Sequence, residues 1–175
     1  MTSSPSTMRH VEALAQQLAD VLAAQHELYG GVQRLLQQRR DAVGGADLER
    51  YSRLAIEEQR ALAEVYALDT RRTALGVELA TRLGLAKGAS ILEISSALPE
   101  GSRARLEGLR GMLKQRIEET RREGGILRAA AERLAQHMAG VLQTVRGALA
   151  QTGVYGRHGR VALGATVAST IDLRS

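Results

Sequence analysis

The side chains able to do chemistry are few and widely spaced. Histidine occurs at His10, His26, His137 and His158. A carboxylate-bridged di-iron bundle needs Glu-x-x-His on two helices, and no glutamate stands three residues before any of these four. A phosphotransfer bundle presents an exposed histidine beside a lysine, and neither His26 nor His137 has a lysine nearby. With no cysteine there is no disulfide, no thiolate-ligated metal and no thiol nucleophile. The glycine-rich phosphate loop, the dinucleotide fingerprint and the zinc motif H-E-x-x-H are all missing. Glu57-Glu58 and Glu118-Glu119 sit among arginines and read as helix-surface ion pairs. Gly156-Arg157-His158-Gly159 could form an anion-binding turn or a plain one. The expectation is a protein without catalysis, cofactor or metal, whose chemistry is that of binding.

Composition agrees with that. The chain has 175 residues, 44% hydrophobic and 25% charged, with no Phe or Trp and only four Tyr. Such a core must be filled by Leu, Val, Ile, Met and Ala, which suit helix seams better than a ligand cavity. Arginine supplies 22 of the 24 cations against 19 acids, a net charge of +5. The signs alternate along most of the chain, so a solvated face is expected rather than a nucleic-acid footprint. No run of about 18 apolar residues exists to span a bilayer. Residues 1–10 have no apolar stretch of the secretory kind. A cytoplasmic protein is expected.

The elements that must carry any binding surface follow from punctuation and periodicity. Breaks fall at Gly44-Gly45, from Gly84 to Ser90, at Pro99-Glu100-Gly101, and from Gly153 onward. From about Thr7 to Ala42, Val11, Leu14, Leu18, Val21, Leu28, Val32 and Leu35 repeat at threes and fours, the wide apolar face of a bundle helix. Gln25 interrupts that seam, where it either sets register or lies at the edge. A second helix is predicted from an Asp47 N-cap to about Leu83. Its face comprises Leu48, Tyr51, Leu54, Leu62, Val65, Leu68, Leu75 and Leu79, with Gly84 as the C-terminal glycine. Gly76 lies inside this pattern and suggests a close helix approach. Ser90-Ile91-Leu92-Glu93 fits a capping box, opening a short helix that turns Ile91, Ile94 and Leu98 inward and ends at Pro99.

The last helix is predicted from about Ser102 to Ala150. Its d series is Leu106, Leu113, Thr120, Leu127, Leu134 and Val141, and its a series Arg110, Ile117, Gly124, Ala131, Met138 and Val145. The phase survives Gly124-Gly125, so one helix is expected, with room for a bend there. At 1.5 Å per residue it reaches about 70 Å, against about 54 Å for the first. One end should therefore lack intramolecular cover, and an uncovered apolar stripe invites a partner. The predicted fold is all-α: an antiparallel bundle of three long helices with one short connecting helix over residues 1–150, and a flexible C-terminal tail over 151–175. That tail is rich in glycine, spaces Val161, Leu163, Val167 and Ile171, and carries one acid, Asp172.

In this order the segments resemble the FlgN-like flagellar export chaperones. Leu28 to Asp47 (LYGGVQRLLQQRRDAVGGAD) is similar to the family's first helix and its turn. Leu62 to Leu85 (LAEVYALDTRRTALGVELATRLGL) resembles its Leu-rich second helix, and Ser90 to Pro99 (SILEISSALP) the short segment before the third. Tyr155-Gly156-Arg157-His158-Gly159, with Ser169, Ile171, Asp172 and Arg174 beyond it, resembles the family's Tyr-Gly-x-x-Gly turn and its Asp-Arg/Lys end. Thr120 to Leu127 departs from the asparagines that the family often carries there.

The resemblance implies a cytoplasmic chaperone of the flagellar type III secretion system. It would bind the C-terminal helices of hook-associated (hook–filament junction) subunits and hand them to the export apparatus. It would act as a monomer with one client, without nucleic acid or membrane insertion. On that reading Leu134, Met138, Val141, Val145 and Leu149 form one wall of a helix-in-groove receptor. Tyr155, Gly156 and Gly159 set a turn, and Val161, Leu163, Val167 and Ile171 order on the client. Alternatively these apolar residues fold back over the protein's own bundle. Two other functions suit the residues. One is a scaffold self-associating through the last helix's seam, and the other a nucleic-acid module using Arg121, Arg122, Arg128 and Arg133.

Overall fold

The computed structural model describes residues 5–151, with side chains over 8–150. Its elements are α1 (Pro5–Gly44), α2 (Leu48–Arg82), α3 (Ile91–Ser96) and α4 (Glu100–Gln151). Among the described residues there is no strand. The expected all-α class, with three long helices and a short connector, is what folds. Two units are distinguished, Met1–Ala131 and Glu132–Ser175.

Local chemistry sets the helix ends. After α1, the Asp47 N–H donates to the Ala42 carbonyl at 2.9 Å and the Ala46 N–H to that of Val43 at 3.1 Å. This pairing closes a helix through one left-handed residue. That residue is Ala46, at φ 52°, one place after the Gly44-Gly45 pair that marks the break in the sequence. A Cβ is strained there. Ala46→Gly is therefore expected to stabilise the protein by about 0.5–1 kcal/mol, read as a raised thermal midpoint. Asp47 then caps α2 by accepting the Arg50 N–H at 2.9 Å. The same closure ends α2, now with glycine where it is needed: Gly84 has φ 70°, and the Leu85 N–H reaches the Ala80 carbonyl at 2.8 Å.

The capping box forms as the spacing predicts. The Ser90 hydroxyl accepts the Glu93 N–H at 3.2 Å, and the Glu93 carboxylate accepts the Ser90 N–H at 2.6 Å. These contacts, the Ser90 N–H first and its hydroxyl second, hold the Glu93 carboxyl below its ordinary range. α3 stops at Ser96 rather than at Pro99, and Glu100-Gly101 is helix rather than turn. The Pro99 carbonyl accepts the Arg103 N–H at 2.9 Å. Pro99 therefore stands just ahead of Glu100, its carbonyl accepting the first bond of α4, rather than at the end of α3.

Within Met1–Ala131 the helices run up, down and up. Arg39 pairs with Glu58 near one end of the α1–α2 contact, and His10 lies 3.6 Å from Glu78 near the other, so α1 and α2 are antiparallel. α4 runs parallel to α1, with Arg105 on Gln16 at 2.6 Å, Arg116 on Gln33 at 2.9 Å and Arg40 on Glu123 at 2.9 Å. The core joins Leu18 and Leu22 of α1, Leu79 of α2, Ile94 of α3 and Leu106 of α4, all essentially sealed from water. Gly76 lies against α3: the Ile94 Cδ1 would stand 3.9 Å from a Cβ placed there, an ordinary contact rather than a tight one.

The inward face of α2 differs from the one its leucines suggest. Leu48 and Leu62 are exposed, while Leu54, Val65, Leu75, Leu79 and Ala80 are buried. The true seam steps from Leu54 through Glu58, Ala61, Val65, Leu68 and Arg72 to Leu75, so it contains two charges. Glu58 is tolerated because its partner Arg39 is equally sequestered, the two side chains being 16% and 14% exposed. The Arg39 guanidinium also lies 4.3 Å from the Tyr51 ring centroid, a cation–π contact.

α4 is one helix through Gly124-Gly125. Its d positions Leu106, Leu113, Thr120 and Leu127 are all buried. Its a positions are not: Arg110 is exposed, and Ile117, Gly124 and Ala131 are half-buried. Among the described residues of Met1–Ala131, the d edge of its seam is better covered than the a edge.

Candidate partner-binding surface

The described part of the second unit is the end of α4. Alanine, leucine, glutamine and arginine dominate it, and they hold a helix despite Gly140 and Gly147. Spacings of three and four put Leu134, Met138, Val141, Val145 and Leu149 on one face. Leu134 is half-buried, and the other four are 45% to 49% exposed. From Ala135 to Ala150 every side chain is exposed, so the five expected wall residues come together as an open apolar stripe. Leu142 belongs with them and is 58% exposed. The two-position heptad reading passes over it, although it stands four residues after Met138 and seven before Leu149. Tyr155, Gly156, Gly159, Val161, Leu163, Val167 and Ile171 lie outside the described residues.

The sequence from the stripe onward is one-sided in charge. Beyond Glu132 the chain has five arginines (Arg133, Arg146, Arg157, Arg160 and Arg174) against Asp172 alone. Residues 133–175 thus hold +4 of the net +5. An apolar stripe flanked on its own helix by Arg133 and Arg146 favours a partner with apolar anchors and acidic flanks.

The histidines and the arginines weighed for other chemistry are scattered. His10 and His137 are exposed, His26 is half-buried with its Nδ1 unpartnered, and His158 lies outside the described residues. Among the described residues no three His, Asp or Glu gather as metal ligands. No described helix is long and apolar enough to cross a membrane. Arg121, Arg122, Arg128 and Arg133 are all exposed. By helical spacing Arg121 and Arg128 share one row and Arg122 and Arg133 another, rather than one basic stripe.

Comparison with known proteins supplies the family. The family model described as FlgN protein matches residues 8–162, or 155 of the 175. The match takes in α2, α3, α4 and nearly all of α1, reaches past Tyr155, Gly156 and Gly159, and stops short of Leu163, Val167 and Ile171. No curated protein and no solved structure matches the chain. FlgN proteins are flagellar chaperones that bind flagellar subunits and the export apparatus. A helical bundle whose longest helix ends in an open apolar stripe, matched over nearly its whole length, belongs to the FlgN family of flagellar export chaperones.

Proposed function

We propose that this chaperone works in the cytoplasm, masking the C-terminal helices of hook-associated subunits and delivering them to the flagellar export gate. The observation that supports this is the stripe from Leu134 to Leu149, which offers an apolar helix face at the spacing another helix reads. Residues 1–150 act as the helical domain that carries the stripe. Residues 151–175 act as a strap, in which Tyr155, Gly156 and Gly159 turn the chain and Val161, Leu163, Val167 and Ile171 close over the client. One client binds one chaperone, and no nucleotide is required. A second copy on the stripe would set arginine against arginine, so a client with acidic flanks is the better occupant.

The strap is tested by truncation. Removing residues from Gly153 onward is expected to leave helicity unchanged and to abolish capture of hook-associated subunits in a pull-down. Undiminished capture would take the strap out of the mechanism. Concentration-dependent sedimentation of the intact chain would favour the self-associating scaffold instead.

A further inference from the structure

A second open surface lies inside the Met1–Ala131 unit. A groove of about 350 Å³ runs between α2 and α4 with α1 as its floor. It is the same deficit that leaves the a positions of α4 half-open. Hydrogen bonds and ion pairs tie α1 to α2 and α1 to α4, whereas none joins α2 to α4 among the described residues. Leu22, Tyr29, Ile91, Leu113 and Ile117 make the groove apolar.

Its floor also holds an unmet polar demand. Gln25 is 2% exposed, and its carboxamide oxygen is buried without a hydrogen-bond partner. The residue sits in the seam, not at its edge. An unpaired buried amide oxygen costs about 1–3 kcal/mol, and a glutamine amide turns easily about its last torsion, so a donor entering the groove could recover that loss.

The rim selects the charge of the occupant. Arg72 is engaged by Asp69, and Lys114 lies 3.9 Å from Glu118. Arg110 and Arg121 line the same groove with no ion pair among the described residues. They stand eleven residues apart on one face of α4, about 16 Å along its axis. The chain's own segment 152–175 is a poor match for this groove, because it carries three arginines and one acid.

We propose that the α2–α4 groove is a docking site for an acidic amphipathic helix of a partner protein. Its apolar residues pack over Leu113 and Ile117, a polar side chain among them meets Gln25, and two carboxylates about three turns apart pair with Arg110 and Arg121. Such a helix would lie along α4 and give the bundle its missing neighbour. This site does not depend on client binding at the α4 stripe.

The test uses the full chain and a fluorescent helical peptide of about 18 residues, with leucines on one face and glutamates eleven apart, beside a twin in which lysine replaces glutamate. The acidic peptide is expected to bind, weakening with salt, and the twin to bind about tenfold worse or not at all. Arg110→Glu with Arg121→Glu should reverse that preference, and both residues are exposed, so circular dichroism should show an intact fold. Because the chain has no cysteine, Lys114→Cys and Val141→Cys can each carry a single dye. The acidic peptide should perturb the dye at 114, whether or not it also reaches the stripe and the dye at 141. Equal binding of the two peptides, indifference to the arginine reversals, or a signal at 141 alone would overturn the proposal. So would binding that begins only after removal of residues from Gly153 onward, which would make the chain's own end the occupant.

Discussion

Glutamate at both Met138 and Val145 is expected to abolish client capture while leaving the bundle's melting curve where it is. The two side chains are 45% and 49% exposed, and two helical turns, about 10 Å, separate them on one face. Covering that face with a client helix would take each carboxylate out of water without a cation opposite it, since the expected client carries acidic flanks. An unpaired charge in an apolar interface costs several kcal/mol, so the pair should weaken binding by at least about 100-fold. The free chaperone hydrates both carboxylates, and its own stability should move by no more than about 0.5 kcal/mol. Gln143→Glu provides the control, because Gln143 is exposed on the opposite side of the helix. Titration calorimetry with the C-terminal segments of hook-associated subunits measures all three variants. An affinity unchanged by the double substitution would rule out the α4 stripe as the client surface.

The second large effect is on folding. Leu79 has no exposed surface and packs in the cluster shared by α1, α2, α3 and α4. Leu79→Ala should cost about 2–5 kcal/mol, the loss of transfer energy plus an unfilled cavity. That is a large share of the roughly 5–15 kcal/mol that holds a domain folded. For a chain of this size the thermal midpoint should fall by roughly 10 °C. Leu62→Ala should change stability by no more than about 0.5 kcal/mol, because Leu62 is 43% exposed. Periodicity alone places both leucines on one face of α2. Thermal unfolding of the two variants therefore separates burial from pattern, and equal losses would mean that the seam through Glu58 and Arg72 is wrong.

Much of this molecule is legible in one dimension. The apolar repeats at threes and fours in residues 11–35 and 106–145 specify helices, because a stripe along a 3.6-residue helix is a local property. Asp47, Ser90 with Glu93, and Gly84 mark helix ends because capping involves side chains and backbone within a few residues. The stripe on α4 is legible for the same reason, Leu142 excepted, and the surplus length of that helix announces that cover will run short.

What only the folded chain decides is which faces find neighbours. Leu48 and Leu62 look as inward as Leu79 until α1 settles against a line of α2 that includes Glu58 and Arg72. That line is permitted because Arg39, distant in sequence, brings Tyr51 and Glu58 into one contact. Gln25 reads as a flaw in a repeat and Arg110 as a misplaced seam residue. In three dimensions they are the floor and rim of the same groove. Periodicity records how much of a helix must leave water; whether its own chain or another molecule does the covering depends on contacts between residues far apart, which no local pattern contains.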